Sequence, residues 1–564
     1  MAAVLEDAAA GVPGRWHRWA AIALVVVGAL RIAGTYPELS ETVDEVAHVG
    51  AGMEWLARGQ YTFELQHPPL ARIAAAAGPY LIGIRSQGQS SMWSEGRHVL
   101  YADNAYVRNL TAARLGILPF FFIASFFVWR FGRVAFGPSE ALGAVACFTM
   151  LPPILAHFGL ATTDGPMLAM FAATVYAGVR WLVVPNVQHG AALGAAAALA
   201  VVSKFSALPY LGVTALLVCG AWLWATRGHS LGAPVDSAGG PRTLDASAGW
   251  PWKRALLSLV VAAIAAFLVT WAVYRFSIGT VRGIPMPLSE LPKGMRDVAV
   301  HNRLGHPAYL LGVTRVHGVW YFFPVVLALK TPIAALMLGL FGFAVLVRRG
   351  LRNRDWVTLV PVLVAVAVTA VALPSSINIG VRHVLPFYVA LSLAVGVAWV
   401  WLWRRFSSGR ARVALAAGTA GLSLGTATVH PDYLAYFNLF AGRDPSRLLA
   451  DSDLDWGQDL FRLRREAQAR GIDTLTFAYI GTADLSPIIG VPVKYWDGTA
   501  RPNGWVAIAE TWYRRGQVSE RRGRHVVDQK AMWWLDSAAT FTRVGKGVRL
   551  YRIPPPAGDG GDRR

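Results

Sequence analysis

The feature that most constrains this chain is a series of apolar runs of about 20 residues, which recurs from the N-terminus to about residue 430. A helix of that length crosses the roughly 30 Å hydrocarbon core of a bilayer. Only 15% of the 564 residues are charged, so the chain has too few solvating groups for a soluble domain of this size. The sequence therefore predicts a polytopic α-helical membrane protein.

Eleven of these runs are predicted as transmembrane spans. They cover residues 19–37, 112–131, 139–157, 164–184, 189–204, 206–226, 255–276, 328–347, 356–374, 384–403 and 411–430. The division of residues 189–226 into two spans depends on a turn at Lys204–Pro209, and another division there stays open.

Basic residues mark alternate ends of the predicted spans. They are Arg15, Arg18, Arg130, Arg133, Arg180, Arg227, Arg242, Lys253, Arg254, Arg348, Arg349, Arg352, Arg354, Arg404, Arg405, Arg410 and Arg412. Because Lys and Arg gather on the cytoplasmic side, residues 1–18 are expected in the cytoplasm and residues 431–564 outside the inner (plasma) membrane. Such scattered charges do not form a nucleic-acid-binding face.

Two long external loops interrupt the predicted transmembrane domain, residues 19–430. The first, residues 38–111, is too long for a simple connection and is predicted to hold a helix over 44–58. A second helix is expected to start at Pro68-Pro69 and to lie on the membrane surface. Its apolar stripe is Leu70, Ile73, Ala74, Ala77 and Leu81. The other external loop covers residues 277–317.

The pattern changes after the last predicted span. Residues 431–553 combine one helical stretch, about 458–470, with short strand-like runs separated by Gly, Pro and Asp. This alternation predicts a small extracytoplasmic α/β domain. The Pro- and Gly-rich tail, residues 554–564, is expected to be disordered.

Three carboxylates stand at predicted external ends of spans. Asp44 and Glu45 begin the first-loop helix, where the helix dipole favours acids. It is equally possible that one of these two carboxylates faces a cleft at the bilayer surface and acts as a general base. Asp164 opens the fourth span and is either a helix cap or part of a substrate path.

Five basic side chains accompany the carboxylates on the predicted external side. Lys204 and Lys330 either reach lipid headgroups or bind a lipid phosphate. His67 precedes the Pro68-Pro69 helix start and is either a solvated loop residue or an anion ligand. Arg382 and His383 break the charge rule, since they are basic and external, which raises the prospect of a functional role.

A metal site is weakly indicated. Asp451, Asp453, Asp455 and Asp459 form an oxygen-rich cluster, but it lacks the glycine and terminal Glu of an EF-hand loop. Asp44 and Asp164 could share a divalent cation, although no ligand spacing demands one. The two cysteines, Cys147 and Cys219, lie in apolar runs and exclude a disulfide framework.

The order of these features resembles the GT-C superfamily of polyprenyl-phosphate-dependent glycosyltransferases. The matching features are the acidic pair after the first span, the Pro68-Pro69 helix start, Asp164 and Lys204. The likeness covers about 430 residues and is greatest to dolichyl-phosphate-mannose–protein mannosyltransferases and bacterial aminoarabinose-to-lipid-A transferases. The segment HPDYLAYFN…SDLDWGQDL, within residues 430–460, also looks like one in bacterial mannosyltransferase-like proteins.

The resemblance implies inverting transfer of a sugar from a polyprenyl-phosphate donor to an extracytoplasmic protein, lipid or glycan. Asp44 would be the base, Glu45 would orient it, and Asp164 would place the acceptor or a cation. Residues that would neutralise the leaving phosphate are His67, Lys204, Lys330, Arg382 and His383. His67 departs from the lysine of the lipid A transferases but agrees with the HPP of the mannosyltransferases.

Two other classes of function fit a polytopic chain. A secondary transporter usually has related halves with matched broken helices, and no such symmetry is visible here. A non-catalytic scaffold would give no reason for acids and bases to meet at one membrane depth. The sequence therefore favours a glycosyltransferase, with a transporter of a small polar or lipid-linked solute as the alternative.

Overall fold

The computed structural model describes residues 15–226 and 250–555, with gaps at 282, 316, 407, 411, 414–415, 418–424, 517, 522–523, 528–531, 533 and 536–540. The helices of the first half are α1 (Arg15–Ala33), α2 (Val43–Met53), α3 (Pro69–Leu81), α4 (Met92–Tyr101), α5 (Tyr106–Leu115), α6 (Leu118–Ala135), α7 (Pro138–Phe148), α8 (Pro152–Phe158), α9 (Asp164–Val183), α10 (Val187–Val201), α11 (Ala207–Thr226) and α12 (Trp252–Val273). The later helices are α13 (Glu290–Leu304), α14 (Phe322–Lys330), α15 (Ile333–Asn353), α16 (Trp356–Ala372), α17 (Pro386–Arg405), α18 (Leu460–Ala469), α19 (Leu485–Ile489) and α20 (Glu510–Arg515).

Seven of the described helices are long and apolar enough to cross a membrane, when α5 and α6 are taken as the single helix Tyr106–Ala135. An eighth span results if α7 and α8, which bend by 67°, are counted together. The predicted spans 189–204 and 356–374 are the shorter apolar helices α10 and α16. The predicted span 411–430 lies largely outside the described residues. The chain is thus a multi-pass membrane protein.

Glycines let two of the apolar helices approach closely. A Cβ atom on Gly190 would lie 2.2 Å from the Ser258 carbonyl oxygen, and one on Gly194 would lie 1.9 Å from that of Ala262. Helices α10 and α12 therefore pack backbone to backbone, as small residues spaced by four allow in a membrane.

Several span ends that are predicted to be external meet at one cavity, which includes Asp44, Lys204 and Arg382. A second cavity extends from Trp16 and Arg404, at ends predicted to be cytoplasmic, to Pro332 and Thr426, near ends predicted to be external. The orientation of the spans in the membrane stays a prediction.

The first loop, residues 38–111, contains α2, α3, α4 and the start of α5. Helix α2 continues as a π-helix, Glu54–Arg58, so the predicted helix over 44–58 is present. Helix α3 begins at Pro69, also as predicted, but its buried face is Ala71, Arg72, Ala75, Ala76 and Pro79. The other members of its predicted apolar stripe are half-buried, and Leu81 is 82% exposed. Contact of that stripe with the membrane surface stays a prediction.

Three sheets complete the fold. Their strands are β1 (Ile278–Val281), β2 (Ile284–Pro287), β3 (Ala308–Leu310), β4 (Val313–Arg315), β5 (Leu475–Ala478), β6 (Val493–Tyr495), β7 (Gly504–Ala509), β8 (Val518–Arg521), β9 (Arg524–Val527), β10 (Phe541–Val544) and β11 (Val548–Ile553). The C-terminal sheet has the order β10-β11-β7-β5-β6, with β5 parallel to β6 and β7. Together with α18, it forms the predicted α/β domain.

The C-terminal domain is not separate from the membrane part of the chain. Strands β3 and β4 of the external loop join β8 and β9 in one sheet, through a parallel pairing of Thr314 with Ser519. The sequence did not indicate this joint sheet. The first loop is attached as well, because the Val43 amide donates to the Trp456 carbonyl over 3.0 Å. Three distant segments therefore enclose one space.

Candidate active site

A cavity of about 800 Å³ lies between the first loop, the span ends and the C-terminal domain. Its wall includes five of the predicted site residues, which are Asp44, His67, Lys204, Arg382 and His383. Its volume falls in the range usual for small-molecule sites.

Asp44 and Arg382 form an ion pair at the cavity wall. The Arg382 guanidinium donates to Asp44 Oδ2 over 2.6 Å. The Asp44 side chain is 26% exposed and that of Arg382 only 9%, so the carboxylate is the accessible partner. Burial opposes the charge of Arg382, but the carboxylates of Asp44 and Asp164 outweigh it and raise the pKa of Arg382. Arg382 also stacks over Trp456, with the guanidinium carbon 4.3 Å from the ring centre.

The segment before α17 holds Arg382 in place. Gly380 has a φ of +107°, and a Cβ there would lie 2.6 Å from the Ser452 hydroxyl, so glycine is required. The next amide, that of Val381, donates to Asp453 Oδ1 over 2.9 Å. From the other side, the Tyr210 hydroxyl donates to the His383 carbonyl over 2.7 Å. The side chain of Arg382 is thereby oriented by two separate parts of the chain.

Lys204 connects the cavity to Asp164. Its ammonium group donates to Asp164 Oδ1 over 2.5 Å, across the end of α10 and the start of α9. Asp164 is fully buried behind Lys204 and does not line the cavity. Among the described residues, its Oδ2 has no hydrogen-bond partner. The two predicted carboxylates, Asp44 and Asp164, both act on the charge of Arg382, and each is paired with a cation.

The two predicted histidines differ in their surroundings. His67 Nδ1 lies 3.1 Å from Glu64 Oε2, and Glu64 also binds the buried Arg72. Burial, together with the nearby charges of Lys204 and Arg382, lowers the pKa of His383 well below its usual value. The His383 imidazole is therefore uncharged at neutral pH.

Glu45, which is predicted to complete the catalytic pair with Asp44, does not line the cavity. Glu45 is fully buried, and both of its oxygens bind Arg114, over 2.8 and 2.9 Å. It also accepts the amide of Ala161 over 2.8 Å and that of Thr42 over 2.8 Å. Because Glu45 points away from the cavity, it positions the start of α2 and does not face a substrate.

Lys330, which is predicted to bind the donor phosphate, does not line the cavity either. Its ammonium group donates to the carbonyls of Leu434, over 2.7 Å, and Asp453, over 2.5 Å. It is 1% exposed and lies over the Phe437 ring rather than at the cavity wall. These hydrogen bonds connect α14 to the segment that follows the last predicted span.

The acidic cluster of residues 451–459 does not form a calcium loop. Asp453 accepts the Val381 amide, and Asp459 accepts the Gly547 amide over 2.7 Å. In the part of the chain that the structure describes, no group of three or more His, Cys, Asp or Glu side chains is arranged to hold a metal ion. Asp44 and Asp164 do not fit a shared cation either, since each is already paired with a basic side chain.

Several cavity residues escaped the sequence reasoning. Asp455, Tyr479 and Arg515 come from the C-terminal domain, and His301 and His306 come from α13 and the loop after it. Of these, the sequence pattern had singled out Asp455 alone, as part of the acidic cluster. The positions of the other four relative to the membrane spans do not mark them as site residues.

Comparison with known proteins supports the fold. Residues 107–235 match the family model of dolichyl-phosphate-mannose-protein mannosyltransferase. No protein of curated function matches the chain in sequence. The crystal structure of ArnT from Cupriavidus metallidurans bound to undecaprenyl phosphate is similar, with a TM-score of 0.50 and 13% identity, over 94% of this chain and 97% of ArnT.

Two structures from Archaeoglobus fulgidus are more distant. The oligosaccharyltransferase AglB, in complex with an inhibitory peptide and a dolichol-phosphate, has a TM-score of 0.44 and 11% identity, over 95% of this chain and 74% of AglB. An oligosaccharyltransferase complex with Zn and sulfate has a TM-score of 0.40 and 11% identity, over the same shares. Over nearly its whole length, this chain therefore has a fold similar to that of ArnT.

Proposed function

We propose that this protein transfers a sugar from a polyprenyl-phosphate donor to an acceptor hydroxyl outside the cytoplasm. The observation that carries the proposal is the Asp44–Arg382 pair in the wall of a cavity that Lys204 also lines. A reachable carboxylate beside two buried cations is the combination needed to accept a proton and to stabilise a leaving phosphate.

The two cations are well placed to bind the donor phosphate. Lys204 and Arg382 stand at the ends of spans, which is the depth of the headgroup to which a polyprenyl chain confines its phosphate. Arg382 has five N–H donors and uses one of them on Asp44. It can therefore hold the phosphate while keeping Asp44 oriented. Binding of undecaprenyl phosphate by ArnT and of dolichol-phosphate by AglB supports a donor of this kind.

The reaction proceeds as an inverting displacement at the anomeric carbon. The acceptor oxygen attacks that carbon and forms the new glycosidic bond while the bond to the phosphate oxygen breaks. Asp44 takes the proton of the acceptor hydroxyl, and the phosphate leaves with the bonding electron pair. Lys204 and Arg382 stabilise the charge that grows on the phosphate. His67 and the neutral His383 offer further hydrogen bonds in the same wall.

The proposal extends to the cellular setting. The cavity and the C-terminal domain lie on the outer face of the inner membrane, in keeping with the distribution of basic residues. The sugar is a hexose or pentose, of the mannosyl type or a related one, and the acceptor is a protein hydroxyl, a lipid or an envelope glycan. No step requires a divalent cation, because Asp44 and Asp164 are already neutralised.

The test is sugar transfer by the full-length protein in membranes. The donors are undecaprenyl-phosphate mannose and undecaprenyl-phosphate aminoarabinose, each radiolabelled. Replacing the base, Asp44→Asn, is expected to lower transfer by about 10²- to 10⁴-fold. The matched control is Asp103→Asn, since Asp103 is a 70% exposed carboxylate of the same loop, and full activity is expected.

Two outcomes would contradict the proposal. Transfer that survives Asp44→Asn unchanged would remove Asp44 from the base role. Solute flux in proteoliposomes that contain no lipid donor, together with no transfer from either donor, would establish the transporter alternative.

A further inference from the structure

Part of the cavity wall belongs to the C-terminal domain and has no role in the reaction proposed above. It contains Asp451, Asp455 and Tyr479, with Thr511 and Arg515 beside them. Hydrogen bonds hold this wall against the catalytic segment. The Thr482 hydroxyl donates to the Val43 carbonyl over 3.2 Å, one residue before Asp44.

The Tyr479 hydroxyl is buried at this wall without a partner. Tyr479 is 3% exposed, and no hydrogen bond to its hydroxyl exists among the residues that the structure describes. The oxygen lies beside two glycines that also line the cavity. A Cβ on Gly457 would lie 2.7 Å from it, and one on Gly481 would lie 1.9 Å from it. A buried hydroxyl normally has a partner, so a ligand group is expected to supply one here.

The protonation states of the side chains in this wall suit a ligand that carries hydroxyl groups. Burial, with the charges of Glu41 and Asp455, raises the pKa of Tyr479 well above its usual value, so its hydroxyl stays a donor. Burial also raises the pKa of Asp455 to about 7, and its Oδ2 accepts the Thr511 amide over 3.0 Å. Asp451 is neutralised by an ion pair with Arg515. A hydroxyl both donates and accepts, as these groups require.

The charges of the wall do not favour an anion. Arg515 is already paired with Asp451, so an anionic group would gain little from that cation. A lipid tail would leave the Tyr479 hydroxyl unpaired. A sugar presents several neutral hydroxyls on a rigid ring, and it can pair with Tyr479 and both carboxylates together.

We propose that Asp451, Asp455 and Tyr479 form the acceptor subsite, and that this subsite takes a neutral, hydroxyl-rich carbohydrate. The inference rests on the proposed function, since it assigns the second substrate of that reaction. The sugar hydroxyl nearest Asp44 would then be the one that loses its proton. The C-terminal domain selects the acceptor, whereas the span ends bind the donor.

The experiment measures binding and transfer with the full-length protein. Saturation-transfer NMR tests three neutral trisaccharides, mannotriose, maltotriose and cellotriose, against a serine-rich peptide of similar size. Tyr479→Phe is expected to weaken the binding of a trisaccharide about five- to tenfold, the loss for one uncharged hydrogen bond. It should raise KM for that acceptor by the same factor and leave kcat and Tm unchanged.

The matched control is Tyr309→Phe. The Tyr309 hydroxyl donates to the Arg447 carbonyl over 3.3 Å and does not line the cavity, so trisaccharide binding should stay at the wild-type level. Binding of the peptide and of none of the trisaccharides would overturn the inference. A fall in Tm with Tyr479→Phe and unchanged binding would do so too. Trisaccharide binding that depends on Tyr479, without transfer from either donor, would refute the proposed function and leave the subsite standing.

Discussion

The Asp44 carboxylate and the Arg382 guanidinium lie 2.6 Å apart, although 338 residues separate them in the chain. Each is held by its own backbone contacts, Asp44 through the start of α2 and Arg382 through the segment before α17. The pair is therefore preorganised, and a phosphate that enters the cavity meets a guanidinium already in position.

The first prediction concerns the donor. Arg382→Gln removes a charge-assisted contact to the phosphate, so undecaprenyl phosphate is expected to bind about tenfold more weakly or worse. Isothermal titration of the purified protein with undecaprenyl phosphate measures the change in Kd. Arg465→Gln is the control, because Arg465 is 57% exposed and pairs only with Glu38 outside the cavity. Equal Kd values for Arg382→Gln and the wild type would contradict the role.

The second prediction separates two lysines that look alike in the sequence. Lys330→Met leaves the buried carbonyls of Leu434 and Asp453 without their donor, which costs about 1–3 kcal/mol for each unpaired group. A lower Tm with an unchanged Kd for undecaprenyl phosphate is expected. Lys204→Met should weaken phosphate binding, since Lys204 lines the cavity. Loss of phosphate binding in Lys330→Met, without a change in Tm, would reverse the assignment.

The third prediction is a pH dependence of stability that arises from Glu41. This residue is fully buried between the first loop and the C-terminal domain. Burial and repulsion from Glu45 raise the pKa of Glu41 from 4.5 to about 8. The folded state then binds a proton that the unfolded state releases, so stability is greatest below pH 4.5 and falls as the pH rises to about 8.

Replacement of this carboxyl by an amide removes the titration. Glu41→Gln is expected to abolish the fall in Tm between pH 5 and pH 8 and to raise Tm at pH 8 relative to the wild type. Thermal unfolding of both proteins across that range, in one detergent, measures it. Glu38→Gln, which changes a 40% exposed carboxylate in the same segment, should follow the wild-type curve. Parallel curves for Glu41→Gln and the wild type would show that Glu41 is ionised in the folded protein.

Prediction from sequence succeeded best for features that depend on local composition. Seven of the eleven predicted spans are described helices that are long and apolar enough to cross a membrane, and an eighth is the bent pair α7 and α8, because a bilayer demands length and hydrophobicity and little else. The Pro68-Pro69 signal placed the start of α3, since proline suits the first turn of a helix. The bend between α7 and α8 and the shortness of α10 and α16 were not foreseen, because neighbouring helices decide them.

Of the site residues predicted from the sequence, some line the cavity and others do not. Asp44, Lys204, Arg382 and His383 line the cavity from positions near span ends on the predicted outer side, and His67 lines it from within the first loop. Glu45 and Lys330 satisfied the same criterion but point elsewhere. Position along a span gives the depth of a residue in the membrane, whereas the rotation of its element decides which neighbours its side chain contacts.

The amino-acid sequence by itself determined that this chain crosses a membrane many times and that acids and bases collect at one end of its helices. Those properties follow from hydropathy, charge and the length of a span, which are read one segment at a time. Only the tertiary structure decided which charges pair, that the C-terminal domain shares a sheet with the external loop, and that Tyr479 enters the cavity wall. These depend on contacts between residues hundreds of positions apart, where no local pattern records the partner.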